Sequence, residues 1–126
     1  MKLNPDCIRD ALFNIESVVA PNRPYQFPKD AQELLKKYSS EEAFYHLEQC
    51  AYGGFLINFK RYAGPSCTIK DISPQGHKFL ANIREDTVWN KTKAIAEKVG
   101  SKSLDVLIQI STGVITQIAK NKLGLP

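Results

Sequence analysis

Two histidines, His46 and His77, are all that this sequence of 126 residues contains. Hydrolysis through a serine or cysteine nucleophile needs a histidine placed beside it, so few catalytic constellations exist. Cys50 follows His46 by four residues, which puts both on one side of a helix. Such a pair serves more often as core than as a catalytic or metal site. The three cysteines, Cys7, Cys50 and Cys67, are odd in number, widely spaced and without a Cys-x-x-Cys pair. That excludes a secreted disulfide scaffold and fits reduced thiols in a cytosolic protein. Gly53-Gly54 lacks the lysine and strand context of a phosphate loop. No window holds eighteen uncharged apolar residues, and the N-terminus shows no basic stretch followed by an apolar run. Neither a membrane span nor a secretory signal is read, and a cytoplasmic location is expected. No enzymatic activity, cofactor or metal is expected.

What is present suits a folded domain. An apolar content of 43% and a charged content of 24% are ordinary for a globular chain of this length, which can bury one core unaided. The net charge of +4 is mildly basic and permits contact with nucleic acid without requiring it.

Asn4-Pro5 reads as a helix start, with Ile8, Leu12, Ile15 and Val19 at helical spacing up to Pro21. Residues 20–28 hold three prolines and read as an extended crossing loop, with Tyr25 or Phe27 pinned to the core. Lys29 to Lys37 is helix-prone. Ser39-Ser40-Glu41-Glu42 starts another helix with Ala43, Phe44, Leu47 and Ala51 inward, stopped by Gly53-Gly54. Residues 55–62 alternate as a half-buried strand, Ala63-Gly64-Pro65-Ser66 turns, and Cys67 to Ile72 returns. Ser73-Pro74 starts a helix to Glu85, and Asp86-Thr87 starts a second one that Gly100 stops. Ser101-Lys102-Ser103 caps a last helix, Leu104 to about Lys122. Its broad apolar face calls for more than one neighbour, either the rest of the chain or a second copy in a homodimer.

The signatures Asp6, Ile8 and Arg9, then Gly76-His77-Lys78-Phe79-Leu80, Ile83-Arg84, Asp86 and Trp89-Asn90-Lys91 carry a resemblance. The chain resembles a family of small, uncharacterised proteins of phages, prophages and bacterial chromosomes. Its members typically open with Met-Lys-x-x-x-Asp-x-Ile-Arg and carry Gly-His-x-Phe-Leu, then Ile-Arg-x-Asp-x-x-Trp-Asn-Lys. The likeness covers most of residues 1–100 and implies a winged-helix-like fold with no agreed activity. The order of elements read from the residues agrees with it. The expected fold is mostly α with a small antiparallel β-hairpin (α+β): a winged helix-turn-helix over residues 1–86 and a helical C-terminal extension over 87–126.

Two functions follow from that fold. The leading expectation is a non-enzymatic winged-helix regulator contacting DNA, through Lys60, Arg61, Tyr62 and Lys70 on the wing and Gln49 on the third helix. The 40–52 helix argues the other way, because it carries Glu41, Glu42 and Glu48 and no lysine or arginine, and duplex DNA repels carboxylates. The alternative is a protein-protein adaptor or inhibitor acting through Glu41, Glu42, Tyr45 and Glu48. The motif residues Gly76, His77, Arg84, Asp86, Trp89, Asn90 and Lys91 read either as an anion site or, better, as a structural joint filled by Trp89.

Overall fold

A computed structural model describes all of residues 1–126 as an α+β fold, mostly helical with small antiparallel sheets. The helices are α1 (Pro5–Val18), α2 (Gln32–Leu35), α3 (Ser40–Tyr52), α4 (Pro74–Ile83), α5 (Asp86–Val99) and α6 (Leu104–Leu123). The strands are β1 (Tyr25–Phe27), β2 (Leu56–Ile57), β3 (Lys60–Tyr62), β4 (Ser66–Ile69) and β5 (Asp71–Ile72). Two compact units result, Met1–His77 and Lys78–Pro126. No helix is long and apolar enough to cross a membrane.

Local chemistry sets most helix ends. The Asn4 side chain accepts from the amides of Asp6 and Cys7, and the Ser39 hydroxyl accepts from Glu42. The Ser103 hydroxyl caps α6 in the same way, and Gly100 ends α5. Each satisfies backbone groups that the first or last helical turn leaves open. The buried stripe of α1 is Cys7, Ile8, Ala11, Leu12 and Ile15, and that of α3 is Ala43, Phe44, His46, Leu47 and Cys50.

Three segments depart from the sequence reading. Within the crossing loop, Tyr25–Phe27 forms a strand, pairing Tyr25 with Ile69 and Phe27 with Cys67. Both aromatic side chains are buried, so the anchoring holds while the loop itself becomes sheet. The helix expected over Lys29 to Lys37 shrinks to four residues. Ala31 at its start has no side-chain acceptor, and the Asp30 carboxylate that stands nearby is turned back to the Gln26 amide at 2.8 Å and to Arg23 at 3.3 Å.

The single strand expected over 55–62 is broken at Asn58, whose φ of 52° lies in the left-handed region. Asparagine tolerates that region because its side chain can bond locally. The register continues unchanged across the break, Leu56 facing Ile72 and Lys60 facing Thr68. The hairpin therefore belongs to two short sheets, β2-β5 and β1-β4-β3. At its tip, in the three-residue loop between Tyr62 and Ser66, Gly64 adopts φ +71°, a region that glycine enters without steric cost.

Ser73 ties the end of this unit together. Its hydroxyl donates to the Gly54 carbonyl at 2.6 Å and accepts from the Gly76 amide at 3.0 Å. Gly76 sits so close to the strand that an added Cβ would stand 2.5 Å from the Phe55 carbonyl oxygen and 2.6 Å from Ile72.

In the second unit α5 packs along α6, and Trp89, Thr92, Ala96, Leu107, Ser111 and Val114 are buried. Asn82 donates to the hydroxyls of Ser111 at 3.4 Å and Thr112 at 3.2 Å, tying the end of α4 to α6.

Candidate interaction surface

The outward face of α3 carries Glu41, Tyr45, Glu48 and Tyr52, spaced three or four residues apart as one helical stripe requires. Opposite it stands β3, paired on one side only, with β4. Between them opens a groove of about 650 Å³, walled by Glu41, Tyr45 and Glu48 from α3 and by Arg61, Tyr62 and Gly64 from the hairpin, with Phe44 at its floor. Arg61 and Tyr62, expected to contact DNA, thus meet Glu41, Tyr45 and Glu48, expected to contact a protein, on one surface.

Arg61 decides the character of that surface. Its guanidinium donates to Glu48 at 2.8 Å and lies 5.2 Å from the centre of the Phe44 ring. The Glu48 side chain is only 14% exposed, so this pair is better protected from water than an ordinary surface ion pair. Phe44 in turn meets Phe27 at 5.6 Å and Phe59 at 6.3 Å, which fixes the platform under the guanidinium. The arginine expected to reach a phosphate is already satisfied by a carboxylate of the same unit. Glu41 is exposed and has no ionic partner.

The other candidates scatter. Lys60 is exposed on β3 outside the groove lining, and Lys70 is exposed between β4 and β5, where its amide bonds the Ile57 carbonyl. Gln49 and Glu42 are half-buried on α3. Gly76 is buried by its approach to Phe55, and Trp89 is buried with the Lys93 ammonium 5.6 Å from its ring. His77, Arg84, Asp86, Asn90 and Lys91 are exposed. Sequence reasoning missed the Phe44 platform and the Glu48–Arg61 pair. Phe44 carries an ordinary helical core signal, and the pair forms only when the hairpin folds back on α3.

His46 and the cysteines have structural duties. The Nε2 atom of His46 accepts from the Asn4 amide at 2.8 Å, and Nδ1 lies 2.7 Å from the Glu42 carbonyl. With Nε2 accepting, Nδ1 is the donor to the Glu42 carbonyl, and the ring locks the start of α1 to α3. Burial pushes the Cys7 thiol up to about 12, helped by the charges of Glu42 and Asp10, and burial with Glu48 pushes Cys67 up to about 12. Cys50, fully buried, is raised further by burial and then by Cys7. Thiols held protonated in this way are poor nucleophiles.

Charge is divided unevenly between the units. Residues 1–77 hold nine basic and nine acidic side chains, whereas residues 78–126 hold eight basic and four acidic ones. The whole excess of +4 lies in the second unit.

Residues 2–102 match the protein family described as "Hypothetical protein (DUF2513)". The chain belongs to this family. It is also 31% identical over 121 residues to a Haemophilus influenzae protein titled "Uncharacterized protein", a match covering 94% of this chain and 98% of the relative. No solved structure matches the chain.

Proposed function

We propose that this DUF2513 member is a small non-enzymatic binding protein that engages a protein partner through the groove between α3 and the β3–β4 hairpin. The Glu48–Arg61 pair carries the reading, because it removes the best phosphate ligand from the hairpin and leaves a groove of carboxylates and aromatics. Aromatic side chains favour interface centres, and the free Glu41 carboxylate suits a lysine or arginine of the partner. The balanced charge of residues 1–77 supports the same choice, since duplex DNA selects a basic surface. The helix-helix-helix-hairpin order and the family resemblance support a winged-helix-like arrangement of phage or mobile-element origin, used here without DNA.

A second reading keeps the same arrangement as a DNA regulator. Lys60 and Lys70 favour it, being exposed and without carboxylate partners. Two titrations separate the readings: fluorescence anisotropy with labelled duplexes, random and from the gene's own upstream region, and amide NMR with lysine- and arginine-rich peptides. The expected result is no duplex binding even at low salt, with peptide-induced shifts at Glu41, Tyr45 and Tyr62 that Glu41→Lys abolishes. Tight duplex binding, weakened by Lys60→Ala with Lys70→Ala, would establish the second reading instead.

A further inference from the structure

The second unit carries a surface of the opposite sign. Between α5 and α6 lies a groove of about 310 Å³ lined by Lys91, Ile95, Ile110, Gly113, Val114 and Gln117. Its floor is aliphatic, and it is open at Gly113, where an added Cβ would meet nothing within 4 Å. Helical spacing extends the basic rim. Lys98 stands seven residues after Lys91 on α5, and Lys120 stands seven after Gly113 on α6, so each shares a face with the groove. Lys91, Lys98 and Lys120 are exposed and have no carboxylate partner. This unit also holds the entire net positive charge of the chain.

We propose that this groove docks an acidic amphipathic helix of a protein partner, its carboxylates meeting Lys91 and Lys98 and its apolar residues entering beside Gly113. Seven residues of helix span roughly 10.5 Å, so carboxylates at positions i and i+7 of the docked helix match the two lysines. The aliphatic residues at i+3 and i+4 then face the floor, as in other helix-in-groove complexes. Other occupants fit less well. A second copy packed groove to groove would set one lysine rim against another. An anionic bilayer favours protruding apolar side chains, whereas Val114 is buried and Ile95 and Ile110 are half-buried. Duplex DNA gains nothing from an aliphatic floor. The surface and the charge sign differ from those of the α3–hairpin groove, so the proposal stands apart from the function proposed above.

The test uses the full chain and a labelled helical peptide with glutamates at i and i+7 and leucines at i+3 and i+4. A second peptide carries lysines in place of the glutamates. The acidic peptide is expected to bind with a micromolar Kd and to shift the amides of Ile95, Ile110 and Gly113. Gly113→Leu fills the groove without meeting any atom at its Cβ, and Lys91→Glu with Lys98→Glu reverses the rim. Each is expected to weaken binding at least about tenfold. Absence of binding at roughly 100 μM peptide, or equal binding of the lysine peptide, overturns the proposal. A dimeric mass in light scattering that Gly113→Leu makes monomeric would assign the groove to a second copy. Co-sedimentation with phosphatidylserine vesicles, lost with Lys91→Glu and Lys98→Glu while the acidic peptide fails to bind, would assign it to a membrane. Either result overturns the proposal.

Discussion

Replacing Gly76 by alanine probes its close approach to Phe55 and Ile72. The added methyl would stand 2.5 Å from the Phe55 carbonyl oxygen, 2.6 Å from the Ile72 Cγ2 and 3.2 Å from the Phe55 carbonyl carbon. Two of these are backbone atoms, and the oxygen already accepts the Ser73 amide at 2.8 Å, so it cannot swing aside. Relief requires lifting the first turn of α4 off the strand, which strains both the Ser73–Phe55 bond and the Gly76–Ser73 bond. Overpacking of this kind costs about 1–3 kcal/mol, and each hydrogen bond lost costs about 1 kcal/mol. The better helix propensity of alanine returns about 1 kcal/mol. The net expectation is a loss of about 3 kcal/mol, a large fraction of the stability of a small domain. Urea denaturation followed by far-UV circular dichroism reads it, since Trp89 fluorescence reports the other unit. Gly113→Ala is the control: with nothing within 4 Å of its Cβ it should stabilise by about 0.5–1 kcal/mol. A Gly76→Ala variant within about 0.5 kcal/mol of the parent would refute the reasoning.

Further expectations concern the interior and the surface pair. His46→Ala leaves the Asn4 amide without an acceptor and opens a cavity, so it should cost about 3 kcal/mol in the same assay; a loss under about 1 kcal/mol would contradict the bridging role. Cys7, Cys50 and Cys67 should ignore a thiol reagent in the native protein and all react in guanidinium, and rapid native labelling would show that the thiols are accessible. Burial raises these thiols, and Tyr25 and Tyr38, above their ordinary values in the folded state. The unfolded chain therefore releases these protons first. Their stabilising contribution is full below the ordinary thiol value of 9.0 and declines as pH rises toward about 12. Denaturation midpoints that stay level across that window would argue against it. A double-mutant cycle on Glu48→Ala and Arg61→Ala should give a coupling of about 1 kcal/mol, and a coupling near zero would mean that the pair does not hold the hairpin to α3.

The sequence made some of this legible and hid the rest for a physical reason. Asn4, Ser39, Ser103 and Gly100 act on backbone groups a few residues away, so the ends of α1, α3, α5 and α6 could be read from them directly. β1 depends on Ile69 and Cys67, far along the chain, and its three residues lie among prolines that argue against a strand. The short α2 follows from the Asp30 carboxylate serving Gln26 rather than a helix end. Of the candidate surface, the residue types on α3 and the hairpin were readable, but their convergence was not. Glu48 and Arg61 are both ordinary surface charges until the hairpin brings them within 2.8 Å.

The uneven division of charge has a practical consequence. An isoelectric point near 9.0 describes the chain as a whole but neither of its parts. On a cation exchanger the protein should be gripped chiefly through residues 78–126, and salt should elute it much as it would a smaller, more basic polypeptide. The α3–hairpin groove, within the charge-balanced unit, would take little part in that adsorption. A sulfonate or silica surface would then hold the chain chiefly by its lysine-rich helices.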